Sequence, residues 1–517
     1  MKSWLRNPFF ILALVLCWRV WLLVFTVQPI PGNDAFGYDG GVVNLLNGGH
    51  YINPSFALVF PITGKQIYAT YPPLYQAALF AWMKLFGATA VSAMALHLVM
   101  FAISGLLTLM VVRKFFPAST GYALLALLLL GFTFDDRPEG LAYIFGLGAL
   151  WLVGRQISSA SFDWRIAGAL ALALWFTLYT SVIVGAYFFG AGFLACAVAC
   201  LGRRRWGWFV PFVAAALLFA AVTLAIVQFE PLWWAGFLES ARQQSVMTSG
   251  FHAPQGADLL KLIRSVPVFL LGLALLPWLV ARRRELFSRP APWLALSAGI
   301  FVMGWILLAA SLTLLASNYV MYATLTQIIL AAGLLAVCRE QTPAWERALR
   351  AGLVACVCLV SIRAAGMSTW GAACAWKNSY TDTQAVLRQE LQPFVTSDRP
   401  VLVSSAFLYC AAGVGVKNPV HSDWYFDHAQ WTNNAQFNAL ARLQPPRLVL
   451  TQFDYYRGFV SPLEALRQHP ELVEIRVRDL AGVRPPDASP WLQRVLQHVS
   501  WAPVIVDLDW KTPAAGQ

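Results

Sequence analysis

The feature that most constrains this chain is a series of apolar runs between residues 8 and 366, divided by short basic clusters. Runs of about 20 apolar residues match the hydrocarbon thickness of a bilayer when helical. The dividers are Arg113-Lys114, Arg203-Arg204-Arg205, Arg282-Arg283-Arg284, and Arg339 with Arg347 and Arg350. Basic residues collect on the cytoplasmic side of membrane helices, so these loops are expected inside. Only 12% of residues are charged, against about 25% in soluble domains, which excludes an ordinary soluble enzyme. The net charge of +12 sits in those loops rather than along a basic groove with interleaved aromatics, so nucleic acid is not expected as a partner.

The pattern predicts membrane helices near Pro8–Val27, Val91–Val112, Ala118–Phe134, Pro138–Gly154, Ile166–Tyr179, Val182–Leu201 and Gly207–Val227. Further spans are expected near Ser265–Ala281, Pro292–Ala316, Tyr319–Cys338 and Ala351–Gly366. The expected fold is a polytopic α-helical membrane protein of about 11 spans. Its N-terminus would be cytoplasmic and its C-terminus outside. The first run is too long for a signal-peptide core and has no small-x-small cleavage site, so it is read as an uncleaved helix. Pro73–Gly87 is not counted. Were it a span, every later basic cluster would face outward. With Tyr71, Tyr75, Trp82 and Lys84, it is expected to lie in the interface as an amphipathic helix.

After Gly366 the apolar runs shorten to strand length, at Val401–Ser404, Arg447–Thr451, Leu472–Val477 and Val504–Asp507. Helical segments alternate with them, at Asp382–Leu391, Ala435–Leu443, Pro462–Arg467 and Trp491–Val499. Residues 367–517 are therefore expected to form an extracytoplasmic α/β domain, following a membrane module over residues 1–366. The eight cysteines show no metal-ligand spacing.

Chemistry is expected in the first outer loop, residues 28–90. Asp34 and Asp39 lie just beyond the first span, and either carboxylate can serve as a base. Asp34 can equally cap a short helix running to Asn47. The next outer loop holds Asp135, Asp136, Arg137 and Glu139. Arg137 is an outer-side arginine against the positive-inside bias, which marks it for an anion or for a local pair with Asp136 or Glu139. Arg19 lies inside the first span, where an arginine is costly unless paired. It is a candidate for a donor phosphate or for an internal structural contact. Arg264, Tyr319 and Tyr322 are further phosphate candidates, with interfacial anchoring as the alternative. His97 is expected to be a core histidine. His421, Asp423, Asp427 and His428 have ligand-like residue types but fit a polar outer loop better.

The loop carries an ordered set of short motifs: Asp34, Tyr38, Leu-Leu-Asn-Gly-Gly at Leu45 to Gly49, Tyr51, Tyr-Pro-Pro-Leu at Tyr71 to Leu74, and Leu-Phe-Gly at Leu85 to Gly87. This order resembles the GT-C superfamily of integral-membrane glycosyltransferases, on the branch of protein O-mannosyltransferases and the lipid A aminoarabinose transferase. The resemblance implies a sugar donor linked to polyprenyl phosphate and Asp34 as general base. It also implies Tyr38, Tyr71 and Tyr75 as loop residues near substrate, and the inner membrane of a bacterium with a periplasmic C-terminal domain. The acceptor would be an envelope glycan, lipid or protein. Some members hold a divalent cation such as Mg or Mn, which here would draw on Asp39 with Asp135, Asp136 and Glu139. Two departures point to a different substrate: Ala35 stands where relatives carry Glu, and Thr70 and Tyr71 occupy the region of the aminoarabinose enzyme's lysine. The alternative class is a transporter or a flippase for lipid-linked sugar. Against it, the spans show no two-half repeat and few ionisable groups at mid-membrane.

Overall fold

A computed structural model describes residues 7–26, 35–115, 137–159, 161–203, 205–247, 291–313, 380–422, 433–480 and 503–511, with scattered positions between 326 and 369. It is mostly helical. In chain order the helices are α1 (Pro8–Thr26), α2 (Ala35–Leu46), α3 (Pro61–Lys65), α4 (Leu74–Phe86), α5 (Ala90–Phe115), α6 (Glu139–Ser158) and α7 (Trp164–Thr180). They continue with α8 (Val182–Arg203), α9 (Val210–Phe229), α10 (Pro231–Met247) and α11 (Pro292–Thr313). Among the described residues, five stretches are long and apolar enough to cross a membrane: Ala90–Phe115, Glu139–Ser158, Val182–Leu201, Trp206–Phe229 and Pro292–Ser311. α1 and the 17-residue α7 lie at two more of the expected spans. The expected spans near Ala118–Phe134, Ser265–Ala281 and Tyr319–Cys338 fall outside the described residues, as does much of Ala351–Gly366. The count of eleven therefore rests on sequence alone.

Two helices separated by almost nothing, Ile166–Tyr179 and Val182–Leu201 in the sequence, are indeed distinct. Asp163 caps α7, accepting from the Arg165 N–H at 2.8 Å. Ser181 then breaks the helix with extended backbone. Gly185 makes the reversal tight, since a Cβ there would lie 2.6 Å from the Leu178 Cα. α4 has 13 residues, too short to span at about 1.5 Å per residue, as expected from the charge argument. It ends at Gly87, whose φ of +92° suits glycine.

α8 and α11 pack backbone against backbone. A Cβ on Gly299 would sit 2.1 Å from the Ala191 carbonyl oxygen and 3.0 Å from the Ala195 amide nitrogen. Small residues let membrane helices approach this closely. Because helix backbone cannot yield as a flexible side chain would, Gly299→Ala should destabilise the bundle by about 1–3 kcal/mol. Thermal unfolding in detergent reads this as a lowered Tm. Gly148→Ala, where nothing lies within 4 Å, should leave it unchanged.

Beyond the bundle lies a five-stranded mixed sheet of order β2-β1-β3-β5-β4. Its strands are β1 (Val401–Val403), β2 (Pro419–His421), β3 (Arg447–Thr451), β4 (Leu472–Asp479) and β5 (Pro503–Trp510). β1 runs parallel to β2 and β3, while β5 is antiparallel to β3 and β4. Helices α12 (Tyr380–Leu391), α13 (Ser405–Val414), α14 (Asn433–Leu443) and α15 (Val460–Leu466) accompany it. Strand side chains alternate between two cores. Val401, Val403, Val449 and Ile505 face a core shared with α12 and α13, whereas Leu402, Leu448, Leu450 and Val504 face α14 and α15. The shared core also contains Ala35, Phe36, Tyr38, Val42 and Val43 of α2, with Tyr75 and Leu79 of α4. The sheet unit is thus docked on the first loop through one continuous apolar cluster.

β2 and α13 of the sheet unit escaped the sequence pattern, as did α3 and α10 of the first 366 residues. β2 is three residues long, too short for an alternation signal. α13 is apolar nearly all round, with seven of its residues buried, so it shows no helical stripe. It ends at Gly415, left-handed at φ +82°, whose N–H reaches the Ala411 and Ala412 carbonyls.

Candidate active site

The first loop is built around α2. Gly40 and Gly41 let the returning chain approach: a Cβ on Gly40 would lie 2.3 Å from Asn53 Nδ2, and one on Gly41 2.6 Å from the Tyr68 ring. Asn53, fully buried, donates to the Phe36 carbonyl at 3.1 Å and accepts from Ser55 Oγ at 2.6 Å. The Tyr68 hydroxyl lies 2.7 Å from the Gly37 carbonyl and 2.9 Å from that of Tyr38. Together they strap residues 53–68 onto the N-terminal half of α2. Neither Asn53 nor Tyr68 was singled out in sequence. The Gly40-Gly41 pair was the available signal, because adjacent glycines in a helix mark a close backbone approach.

Asp39 is fully buried. Tyr75 Oη, from α4, donates to its Oδ1 at 2.8 Å, and Tyr409 Oη, from α13, donates to its Oδ2. The Tyr75 hydroxyl also lies 3.1 Å from His97 Nε2 on α5, so the expected core histidine takes part in this network. Burial pushes the Asp39 carboxyl up to about 7, and the two tyrosine hydroxyls hold it partly down. Burial and the nearby carboxylate push the Tyr409 hydroxyl well above its ordinary value. With both oxygens engaged and no solvent exposure, Asp39 has the geometry of a tether between three elements.

A second cluster lies on the neighbouring face. The rings of Tyr38 and Tyr71 meet edge to face, 4.8 Å apart. The Tyr71 hydroxyl donates to Glu139 Oε1 at 3.0 Å. Glu139 is buried in the first turn of α6, where the helix dipole favours a carboxylate. The Arg137 guanidinium sits 5.9 Å from the centre of the Tyr38 ring, within cation–π range. Four residues named from the sequence, Tyr38, Tyr71, Arg137 and Glu139, are therefore brought together. Tyr71 also borders an open cleft lined by Thr70, Pro72, Ser181, Val182 and Ile183, with Phe237 and Ala241 of α10. Glu239 of α10 accepts from the Ile62 N–H at 3.0 Å and pins this helix to α3.

Arg19 is elsewhere. It is buried on α1 with its guanidinium 4.0 Å from the centre of the Phe101 ring of α5. His421 is buried and stacks on Phe56 of the first loop. Asp34, Asp135, Asp136, Arg264, Tyr319 and Tyr322 lie outside the described residues, and so do Asp423, Asp427 and His428. Among the described residues, no three His, Cys, Asp or Glu side chains are grouped as metal ligands. The arrangement offers a buried carboxyl raised to about 7 and a cation over the Tyr38 ring, whose neighbour Tyr71 borders a mostly apolar cleft.

No family model and no curated protein matches the chain. Solved structures do. The crystal structure of ArnT from Cupriavidus metallidurans bound to undecaprenyl phosphate aligns at 14% identity over 98% of each chain, with a TM-score of 0.49. The same protein in the apo state aligns at 15% identity over 96% of each chain, with a TM-score of 0.48. The Archaeoglobus fulgidus oligosaccharyltransferase complex with Zn and sulfate aligns at 11% identity over 88% of this chain and 70% of that one, with a TM-score of 0.48. At this distance the likeness assigns no activity by itself, and the functional argument rests on the side chains.

Proposed function

We propose that this chain is a membrane glycosyltransferase of GT-C type, moving a sugar from a polyprenyl-phosphate carrier to an envelope acceptor. The observation that carries it is the convergence of Tyr38, Tyr71, Arg137 and Glu139 in one cluster, of which Tyr71 borders the cleft. The motif order of the first loop supports it. α2 begins at Ala35, directly after the candidate base Asp34.

In this mechanism the Asp34 carboxylate takes the proton of the acceptor hydroxyl as that oxygen attacks the anomeric carbon. The bond from the anomeric carbon to the phosphate oxygen breaks, and polyprenyl phosphate leaves with an added negative charge. A single displacement inverts the anomeric centre. Arg137 would neutralise the developing charge on the phosphate, with Arg264, Tyr319 and Tyr322 as further contacts. Glu139 holds the Tyr71 ring through its hydroxyl, and Tyr71 in turn backs Tyr38 under the guanidinium. A divalent cation would be held by Asp135, Asp136 and Glu139, and would share with Arg137 the charge on the leaving phosphate.

Purified protein given radiolabelled polyprenyl-phosphate sugar tests the proposal. Transfer, or slow hydrolysis without acceptor, is expected. Counterflow of intact donor across liposomes, with neither reaction, would instead identify a transporter. Arg137 gives a separate check on donor recognition. A charge-assisted contact near a low-dielectric boundary contributes about 1.5–3 kcal/mol. Arg137→Ala should therefore weaken donor binding about tenfold or more, while Arg137→Lys keeps the charge, loses the planar fork and falls between. Unchanged donor affinity in Arg137→Ala, with a lowered Tm, would make Arg137 a structural residue.

A further inference from the structure

The first loop and the sheet unit meet at one polar point inside an apolar core. Asp39 of α2 takes a hydroxyl from Tyr75 on the α4 side and another from Tyr409 on the α13 side. Around that point the contact is apolar: the Phe36 and Tyr409 rings meet edge to face at 5.2 Å, and Phe36, Val42 and Val43 share a core with Phe407, Leu408 and Ala411. At its margin the Asn47 amide donates to the Ala412 carbonyl at 3.3 Å. An apolar interface tolerates small slides, whereas a buried carboxylate between two hydroxyls does not, because displacement would leave it unsatisfied in low dielectric. The network therefore sets the register of α2 relative to both neighbours. α2 begins at the residue after Asp34.

We propose that Tyr409 and Asp39 are positioning residues for the transfer reaction, through which the C-terminal sheet unit holds the catalytic loop in register. This rests on the glycosyltransferase proposal above. Asp39 is not the base in this scheme, since both oxygens are occupied and neither reaches solvent. Tyr409 touches no substrate and acts through Asp39. The ionised carboxylate is the competent form, because it accepts from both tyrosines at once, and bonds to a charged acceptor are roughly twice as strong as neutral ones. The titratable groups facing Asp39 are Tyr68 from the strapped segment, Tyr75 on α4, His97 on α5 by way of Tyr75, and Tyr409 on α13.

The test uses the full-length protein and the kcat for sugar transfer as a function of pH. In the wild type, kcat should rise with pH through about 7, where Asp39 ionises. Tyr409→Phe keeps the ring contact with Phe36 but removes one donor to the anion, so the midpoint should move up by about one to two pH units. At pH 7.5 this reads as roughly a tenfold loss of kcat with little change in KM. Raising the pH above the new midpoint should restore it. Tyr75→Phe should shift the profile in the same direction from the membrane side. Tyr380→Phe removes another buried hydroxyl of the sheet unit, one that donates to the Ala406 carbonyl at 2.6 Å, and should leave the profile in place. A Tyr409→Phe enzyme with the wild-type profile, or one whose loss is not recovered at high pH, overturns the positioning role. Wild-type protein that neither transfers nor hydrolyses the sugar overturns the enzymatic proposal itself, and the catalytic part of this inference with it.

Discussion

Asp34→Asn should reduce sugar transfer by about 10²- to 10⁴-fold, the usual contribution of a general base. Asparagine keeps the size of aspartate and one acceptor oxygen, and removes the charge and with it the basicity. Donor binding and Tm should stay near the wild-type values, since the charge at Asp34 is not assigned to holding the carrier phosphate. The decisive comparison is kcat at saturating donor and acceptor. Retention of more than half the wild-type kcat would remove Asp34 from the mechanism. Asp39 could then take the role only if the α13 contact opened, because its carboxylate is sealed by Tyr75 and Tyr409.

The second large effect is on stability, and it comes from Asp39. Its carboxyl ionises near 7 in the folded chain against an ordinary value of 3.8. Between those two values the folded state binds more protons than the unfolded one, so stability falls as pH rises. The loss is complete above about 7 and on the order of 4 kcal/mol from this group. Thermal unfolding in detergent should thus show a higher Tm at pH 5 than at pH 8, over and above the other groups. Asp39→Asn should flatten that part of the profile and raise the Tm at pH 8, because a carboxamide is buried without charge and still accepts a hydroxyl. The same variant should lose transfer activity. A stabilising substitution that abolishes turnover is the signature of a group retained for function at a cost in stability. An Asp39→Asn profile parallel to the wild type would mean that the carboxyl titrates at its ordinary value.

Much of the architecture was legible locally. α1, α5, α6, α8, α9 and α11 each lie within a few residues of an apolar run, since in lipid every backbone group must be satisfied inside one helix and the signal is therefore continuous. The exclusion of α4 followed from charge bookkeeping across the loops. β1, β3, β4 and β5 appeared as short apolar runs, three of them (β1, β3 and the first half of β5) because strands buried on both faces need no alternation. Boundaries slipped where tertiary contact extends an element: β5 runs to Trp510 because the Trp510 indole N–H donates to the Pro445 carbonyl at 2.9 Å.

The candidate residues divide the same way. Tyr38, Tyr71, Tyr75, Asp39, Arg137 and Glu139 were singled out because each is a polar or aromatic side chain that an apolar membrane chain rarely places beside its spans. That selection is a property of the sequence alone. Which of them meet was decided by packing. Arg19 turned to the Phe101 ring, Tyr75 to Asp39, and Tyr71 to Glu139, each choice set by helix crossings that no local pattern encodes. Tyr409 is the extreme case. It sits 370 residues from Asp39 in a helix without a polar face, and its hydroxyl is defined only once the sheet unit docks on α2. Residue type and span periodicity are written one segment at a time; the pairing of a buried carboxylate with hydroxyls from two other elements exists only in the folded chain, because only there is water removed from all three.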